Sequence, residues 1–442
     1  MNRRRFIKYA GSTAVLVGAA VAMGAYALVG PGKVLSKTNF TRIMETKAAS
    51  SAVTVSTGEG VALLLEGSVA KVKPSSDIFV VNGTSAQNFG FDALMSLMGT
   101  LGSPFYGLSM KNTGQSSDGL IRRDDVIIIK VNSQWDQRGG TNTDLLKEII
   151  GAILDHPDGF IGEIIVADNG QTQFGAQSSG GSLDWKENNA EDHSQSVQKV
   201  VDSYSKSKVS TYLWDNITLT SVKEYSEGEM DDGYIVSQTI DPTTRIKVSY
   251  PKFKTKFGTY VSFKMGIWDQ EKKSYNDGKL KVFNVPVLKT HGTYGVTACI
   301  KHYMGVGSDK LGTGSHASVG RGGMGTQMAQ TRTPILNILD ATWINANPRN
   351  GPRTTYAAAT RTNILMASRD PVALDYWAVK HVIMQAARTA GHNDLPSIDP
   401  DDQTSSFGNW LRLSMQELQK AGHQATMNEN QMNIYVHNLR EA

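Results

Sequence analysis

Unbroken apolar runs, each bounded by polar residues, recur along this chain of 442 residues. The first two cover residues 125–130 and 163–168, and apolar residues at helical spacing fill 144–154 between them, with Thr143 as the expected N-cap. A run without alternation is typical of a strand buried on both faces, as the strands of a parallel sheet are. Strand, helix and strand in this order predict a right-handed crossover. The pattern therefore predicts an α/β fold, with a mainly parallel sheet flanked by helices.

Two regions depart from this pattern. Between residues 211 and 281, apolar and polar residues alternate and turn residues separate the alternating stretches, which predicts an antiparallel β insertion. Residues 305–333 are rich in glycine, which predicts a loop that is either a mobile lid or a cradle for phosphate.

Composition divides the remaining chain into three parts. We expect a lead-in over residues 28–120 that packs on the core, an α/β core over 121–390 and a C-terminal extension over 391–442. Within the core, Asp370 followed by Pro371 predicts the start of a helix capped by the aspartate.

The N-terminus predicts an export signal. Arg3 and Arg4 precede Phe6-Ile7 and a long apolar run, a pattern that the twin-arginine export machinery recognises. We expect a signal peptide over residues 1–27 and delivery to the periplasm or the cell exterior, or attachment to the membrane if the signal stays uncleaved. Because this machinery moves folded proteins, often with a cofactor bound, the signal indicates a cofactor or a rapidly folding core. A redox enzyme is a partner only in the alternative that the protein is an accessory factor.

Charge and cysteine content narrow the classes of partner and cofactor. The formal charge is +4, and loss of the signal peptide with Arg3, Arg4, Arg5 and Lys8 reduces it to zero. No cluster of Lys and Arg interleaved with aromatic residues is present, so no nucleic-acid partner is expected. The single cysteine, Cys299, excludes an iron–sulfur cluster or a c-type haem held by the chain's own cysteines.

Polar side chains stand at the ends of several predicted strands. Ligands of parallel α/β sheets bind beyond the carboxyl ends of the strands, so we expect these side chains to share one site. The expected catalytic residues are Lys289, His291 and Lys301. The expected ligand-binding residues are Lys130, Asn132, Asp168, Asp340 and Asp375.

Three kinds of chemistry fit these residues. The lysines favour a small anionic ligand, such as a phosphate or a carboxylate. His291, His316 and Asp168 offer nitrogen and oxygen ligands to a divalent metal, although no short-spaced metal motif is present. Lys289 or Lys301, desolvated beside other cations, could instead have a lowered pKa and act as a base or a Schiff-base nucleophile. The cofactor is left open.

The segment from Val282 to Gly307 also resembles a known family. A strand that ends in Pro286-x-x-Lys-Thr-His, followed by a helix with Lys301 and then by glycine, is similar to the pattern of the domain of unknown function 362. His302 stands where the family pattern has asparagine. The resemblance extends from about residue 125 to about residue 382 and implies an α/β fold and a site, but no established reaction. Many relatives carry ferredoxin-like cysteine clusters, which this chain lacks.

The sequence therefore predicts an exported α/β protein that binds an anionic substrate or cofactor, with or without a divalent metal, at the carboxyl ends of its strands. We expect an enzyme of unassigned reaction. The alternative is a non-catalytic ligand-binding or accessory protein that is exported with a redox enzyme.

Overall fold

The structure is a computed structural model that describes residues 54–57, 61–64, 76–85, 87–109, 118–171, 180–312 and 314–439, the first two segments as backbone alone. The predicted export signal, with Arg3 and Arg4, lies outside these residues. Within them, no helix combines the length and the apolar character that a membrane crossing requires.

The strands form two sheets. In chain order they are β1 (Thr54–Thr57), β2 (Val61–Leu64), β3 (Ser76–Asn82), β4 (Val126–Lys130), β5 (Glu163–Asp168), β6 (Val209–Leu213), β7 (Gly233–Val236), β8 (Ser249–Lys254), β9 (Tyr260–Ser262), β10 (Gly266–Asp269), β11 (Ser274–Asn276), β12 (Leu280–Asn284), β13 (Val287–His291), β14 (Gly295–Thr297), β15 (Leu336–Asn345), β16 (Thr360–Ser368) and β17 (Met432–Asn438).

Helices pack around the larger sheet and connect its strands. In chain order they are α1 (Phe91–Thr100), α2 (Thr143–Leu154), α3 (Val197–Asp202), α4 (Cys299–His302), α5 (Ser315–Ser318), α6 (Gly323–Gln330), α7 (Pro371–Ala378), α8 (Met384–Thr389) and α9 (Ser406–Lys420).

The larger sheet is mixed but mostly parallel. Its strands lie in the order β2-β1-β17-β3-β16-β15-β12-β4-β5-β6, and β13 pairs with β15 and β14. Strands β4, β5, β6, β12, β13 and β15 run in the same direction, so their carboxyl ends point the same way. The second sheet, in the order β11-β10-β9-β8-β7, is antiparallel and lies within the predicted insertion. The predicted α/β fold is confirmed.

The central strands form because their residues are apolar on both faces. Every residue of β4 and β5 is buried. Along β4, Ile127 and Ile129 pack in one hydrophobic cluster with the apolar face of α2, and Ile128 packs in the other cluster. The alternation places side chains on opposite faces of the sheet, so one unbroken apolar run contributes to two cores.

Helix α2 forms where its spacing predicted it, but its cap is different. The side chain of Asn142 accepts hydrogen bonds from the backbone N–H groups of Asp144 and Leu145, so asparagine is the N-cap. The Thr143 hydroxyl instead donates to the Gln195 carbonyl at 2.8 Å, and the expected Thr143 cap is therefore wrong.

The lead-in and the C-terminal extension contribute strands to the sheet, which the sequence did not predict. Strand β3 lies between β16 and β17, and it is parallel to β17 with Ile78 opposite Ile434. Both apolar runs are short and lie in polar surroundings, so neither stood out as a core strand.

The glycine-rich region is helical over most of residues 315–330, so the expected loop is wrong for this part, whereas residues 306–312 lie in turns and bends. It contains α5, a 3-10 turn (Val319–Arg321) and α6, with Met324 and Met328 buried. A Cβ atom on Gly325 would lie 2.4 Å from the Ser414 carbonyl oxygen on α9. The absence of a side chain there permits close helix packing, rather than mobility.

The segment from β12 to α4 is divided more finely than expected. Pro286, which lacks a backbone N–H, separates β12 from β13, and β13 continues alongside β15. Val296 lies on β14, and the helix with Lys301, α4, begins at Cys299. The result is a β13–β14 hairpin that projects from the carboxyl end of the sheet.

Candidate functional site

A cavity of about 540 Å³ lies beyond the carboxyl ends of β4 and β5, against β13, β14 and α4. Seven residues expected at the site line it: Lys130, Asn132, Asp168, Lys289, His291, Lys301 and His316. Further lining residues include Trp135, Gln171, Tyr294, His302, Gly305 and Asp309. The sheet topology therefore brings together side chains that are far apart in the sequence, as the position of strand ends predicted.

Lys130 and Asp168 form a buried ion pair at the base of the pocket. The Lys130 amine donates to Asp168 Oδ1 at 2.8 Å and to the Val131 carbonyl at 3.2 Å. Asp168 Oδ2 accepts hydrogen bonds from the backbone N–H and the hydroxyl of Ser133. Burial lowers the pKa of Lys130, and the neighbouring carboxylate opposes this effect. Both oxygens of Asp168 already have protein partners, so its carboxylate holds Lys130 in position.

Gly305 allows the chain to approach this ion pair. A Cβ atom at this position would lie 2.2 Å from Asp168 Oδ1 and 2.8 Å from the Lys130 amine. The Gly305 carbonyl also accepts a hydrogen bond from the Asn169 backbone at 3.2 Å. A glycine is therefore required at position 305, after α4, because no side chain would fit there.

Lys289 is fully buried and has a different environment. Its amine donates to the Gly139 carbonyl at 2.5 Å and lies 5.9 Å from the centre of the Trp135 ring. Burial lowers the pKa of Lys289 well below its usual value, and the nearby Lys301 lowers it further. Among the described residues, Lys289 makes no ion pair.

Lys301 lies on α4, above the ring of Tyr294. The distance from its amine to the ring centre is 5.1 Å. Burial lowers the pKa of Lys301 to about 8, and Asp309 opposes the shift. Tyr294 is itself fixed, because its hydroxyl donates to the His316 carbonyl and its own carbonyl accepts from the Trp410 indole.

The hydrogen bonds of His291 assign its tautomer. Its Nδ1 accepts from the backbone N–H groups of Thr293 at 3.2 Å and Tyr294 at 3.3 Å. The lone pair is therefore on Nδ1, and the proton of the neutral ring is on Nε2. Burial lowers the pKa of His291 to about 2, and the charges of Lys301 and Lys289 contribute. His291 is thus a neutral hydrogen-bond donor at its Nε2 atom.

His302 has the opposite tautomer. The hydrogen bonds of the Asn337 and Asn284 side-chain amides show this. The Asn337 amide nitrogen donates to the Ser368 carbonyl, and the Asn284 amide nitrogen donates to Asn337 Oδ1 at 2.9 Å and to the Cys299 carbonyl. Asn284 Oδ1 is left to accept from His302 Nδ1 at 2.7 Å. The proton of His302 is therefore on Nδ1 and the lone pair on Nε2. That Nε2 atom is buried without a hydrogen-bond partner among the described residues.

His316 is oriented by Asp309. Its Nδ1 lies 2.9 Å from Asp309 Oδ2, and its backbone N–H donates to Asp309 Oδ1 at 3.2 Å. Asp309 is held in turn by Gln171, whose side-chain oxygen accepts from the Asp309 backbone at 2.7 Å. A carboxylate at Nδ1 places the proton there and leaves a lone pair on Nε2. This arrangement suits a general base.

Residues 280–380 match the sequence model of a protein family described as Domain of unknown function (DUF362). This stretch of the chain is a DUF362 segment. It contains Lys289, His291, Lys301 and His316, whereas Lys130 and Asp168 precede it. The broader resemblance expected from residue 125 onward is thus matched in its C-terminal part. No curated protein and no solved structure matches the chain.

Two expected ligand-binding residues lie in the DUF362 segment but outside the pocket lining. Strand β15 continues past Asp340 to Asn345, so the expectation that this strand ends at Asp340 is wrong. Asp340 Oδ1 accepts from the Thr342 backbone beside a bulge in β15. The carboxylate is buried in the sheet, and burial raises its pKa to about 6.

Asp375 has a structural position. Its two oxygens accept from the backbone N–H groups of Cys299 at 2.7 Å and Ile300 at 2.9 Å, so it holds the first turn of α4. Burial raises the pKa of Asp375 to about 7. Asp370 is the N-cap of α7, as predicted, through hydrogen bonds from Val372 and Ala373. Both aspartates therefore position the DUF362 segment without lining the pocket.

The expected metal ligands His291, His316 and Asp168 all line the pocket. Within the part of the chain that the structure describes, however, no three His, Cys, Asp or Glu side chains are grouped so as to hold one ion. A metal bound to Nε2 of His291 would require the proton on Nδ1, facing two backbone donors. The metal site stays a prediction that the donor set at His291 does not favour.

Sequence reasoning left three functional candidates out of the expected site. His302 is adjacent to Lys301 and was noted only as a departure from the family pattern. Asp309 and Tyr294 carry no motif, and they join the site because the hairpin and the following turn fold over the pocket. The signal that could have identified Asp309 is its seven-residue separation from His316 in a segment already marked by glycine.

Proposed function

We propose that the protein is an enzyme that binds an anionic substrate in this pocket and uses His316, oriented by Asp309, to transfer a proton. The observation that carries the proposal is the set of three donors at one cavity. These are the amines of Lys289 and Lys301 and the Nε2–H group of His291. Among the described residues, neither of these lysines makes an ion pair.

Charge balance supports an anionic ligand. Asp168 compensates Lys130 through direct contact, and Asp309 is directed at His316. The remaining buried amines repel each other, since each cation lowers the tendency of the other to hold a proton. An anion placed between them would stabilise both ammonium forms, and water-poor surroundings strengthen that attraction.

Proton transfer is the chemistry that the histidines support. His316 has a lone pair on Nε2 and a carboxylate behind Nδ1, so protonation at Nε2 would be stabilised by Asp309. His291 would donate to the substrate and stabilise negative charge that develops on it. Lys289, His291 and Lys301 would then contact the substrate, as the sequence predicted for catalytic residues.

The first test is ligand retention after purification. Native mass spectrometry of the wild-type protein is expected to show a small anion, and Lys301→Met or His291→Ala is expected to lose it. Lys254→Met is the matched control, because Lys254 is an exposed lysine in the antiparallel sheet. If retention is unchanged in both pocket variants, the pocket is not the anion site.

The second test separates the enzyme from the alternative. The retained compound, or a compound from a panel of organic anions, is incubated with wild type and with His316→Gln. An enzyme converts the compound, and the variant binds it without conversion. Binding without conversion by the wild type would instead support an accessory protein exported with a redox enzyme.

Export by the twin-arginine machinery stays part of the proposal and is tested by localisation of an Arg3→Lys, Arg4→Lys variant.

A further inference from the structure

We infer that the anion bound in the pocket also carries a hydroxyl group, and that Nε2 of His302 accepts a hydrogen bond from this hydroxyl. The inference rests on the proposed anion-binding function and specifies its substrate class. The observation behind it is the buried Nε2 atom of His302, for which anion binding alone supplies no hydrogen-bond partner.

His302 lines the pocket and is 4 % exposed. The amide chain through Asn284 and Asn337 places the ring proton on Nδ1, so Nε2 presents a lone pair. None of the described residues donates to it. A buried acceptor without a partner is destabilising, so native structures rarely leave one without a ligand or an ordered water.

The surroundings restrict what can satisfy this lone pair. The charges of Lys130 and Lys289 act on the His302 ring, and that of Lys301 has a smaller effect. A metal cation at Nε2 would be repelled by these amines, and an anionic oxygen would meet the lone pair of Nε2. A neutral hydroxyl group avoids both problems, because it donates its proton to Nε2 and its oxygen can face the amines.

A second acceptor lies in the same pocket. Asn132 Oδ1 is buried without a hydrogen-bond partner among the described residues, and Asn132 lies two residues after the end of β4 at Lys130. The pocket therefore combines donors for an anionic group with two lining residues, His302 and Asn132, each of which has an acceptor atom without a partner among the described residues. Its volume of about 540 Å³ is sufficient for a ligand of several carbon atoms. The substrate class that fits is a hydroxylated organic acid or a phosphate ester of a polyol.

Matched ligands test this inference. Isothermal titration compares gluconate with hexanoate, and glycerol 3-phosphate with propyl phosphate. Each pair has the same anionic group and differs in its hydroxyl groups. We expect the hydroxylated member of at least one pair to bind wild type about tenfold more tightly or better, in line with one hydrogen bond to a buried acceptor. The pair that shows binding identifies the anionic group.

The variant His302→Phe keeps a planar ring but removes the acceptor. It is expected to bind both members of the pair with equal affinity, within about threefold of the wild-type affinity for the member without hydroxyl groups. Equal binding of both members to wild type would overturn the hydroxyl inference and leave anion binding intact. A preference that persists in His302→Phe would overturn the role of His302. Absence of binding by all four compounds, with Lys301→Met unchanged in ligand retention, would overturn the proposed function itself.

Discussion

Two buried lysines in different parts of the molecule show what separates a structural amine from one that is available to a ligand. Lys252 lies on β8 in the antiparallel sheet, and Lys289 lies on β13 at the pocket. Both side chains are fully buried, and burial lowers the pKa of both amines. The charge that most affects each amine has the opposite sign: a carboxylate for Lys252 and a cation for Lys289.

The chain itself satisfies Lys252. Its amine donates to the Lys223 carbonyl at 2.7 Å and to the Glu229 carbonyl at 2.8 Å, and it lies 4.3 Å from the centre of the Tyr225 ring. The carboxylates of Glu229 and Glu224 raise its pKa and so oppose the effect of burial. Lys252 therefore holds the loops around the antiparallel sheet together.

Lys289 has one carbonyl partner, and the charge that most affects its pKa is that of another cation, Lys301, which lowers it; Asp168, which is paired with Lys130, raises it to a smaller extent. Among the described residues, no carboxylate forms an ion pair with this amine. Lys130, at the same pocket, is compensated by Asp168 and in this respect is like Lys252. The comparison teaches that burial alone does not identify a lysine that binds a ligand. A buried lysine without an ion pair is the better candidate.

The largest expected effect distinguishes Lys252→Met from Lys289→Met. Lys252→Met leaves the carbonyls of Lys223 and Glu229 without this donor and should lower the free energy of unfolding by about 2–4 kcal/mol. Lys289→Met removes a buried amine beside another cation, so its free energy of unfolding should stay within about 1 kcal/mol of wild type. Anion binding should fall about 100-fold in Lys289→Met, since a charge-assisted hydrogen bond is lost. Urea unfolding and isothermal titration measure both quantities.

Lys254→Met is the control, because this lysine is exposed on the same strand as Lys252. It should change neither the free energy of unfolding nor anion binding. If Lys289→Met destabilised the protein as much as Lys252→Met and left binding intact, the two lysines would have the same structural role and the comparison would fail.

The next largest effect is expected near Lys130, whose charge is balanced by Asp168. Gly305→Ala places a methyl group against the Lys130–Asp168 ion pair, at 2.2 Å from Asp168 Oδ1. Displacing a buried charged pair should lower the free energy of unfolding by about 2–3 kcal/mol. Thermal and urea unfolding provide the measurement. Gly320→Ala is the matched control, because its Cβ would meet no atom within 4 Å, and it should be neutral or slightly stabilising.

The fold was predictable from sequence where apolar runs were long. The runs in β4 and β5 are buried at every position, and both strands were located within a residue. Strands β3 and β17 were missed because their pairing partners are remote in sequence, and the register of Ile78 with Ile434 is a tertiary property. The glycine-rich helices were missed because close packing against α9 overrides the low helix propensity of glycine.

The site was predictable in so far as it depends on strand ends. Lys130, Asp168 and Lys289 line one pocket because the sheet topology places them there. Asp340 was misplaced because a polar residue within an apolar strand has the same sequence pattern as one at its end. The tautomers of His291 and His302 depend on amide and backbone groups brought in by folding, so no sequence pattern could assign them.

A moderate effect of pH should sharpen the distinction between the two kinds of lysine. The pKa of Lys301 is about 8 without a ligand, and a bound anion raises it. Binding therefore takes up a proton above this pH, and affinity should fall as the pH rises from about 8, by at most about tenfold per unit for this group. Titration from pH 7 to 10 measures the decline. Lys301→Arg, which stays charged, should have a shallower decline; an unchanged slope would show that Lys301 does not contact the anion.

The smallest expected effect is that of a change at Asp309, whose carboxylate contacts His316 Nδ1. Asp309→Asn removes a negative charge near Lys301 while an oxygen remains for His316 Nδ1. Anion affinity should rise by about twofold to fivefold, because less negative charge opposes the ligand. Isothermal titration with the anion retained by wild type gives the answer. A loss of affinity would mean that Asp309 contributes to binding through the position of His316, so that the pocket, like the surroundings of Lys252, depends on a countercharge supplied by the chain.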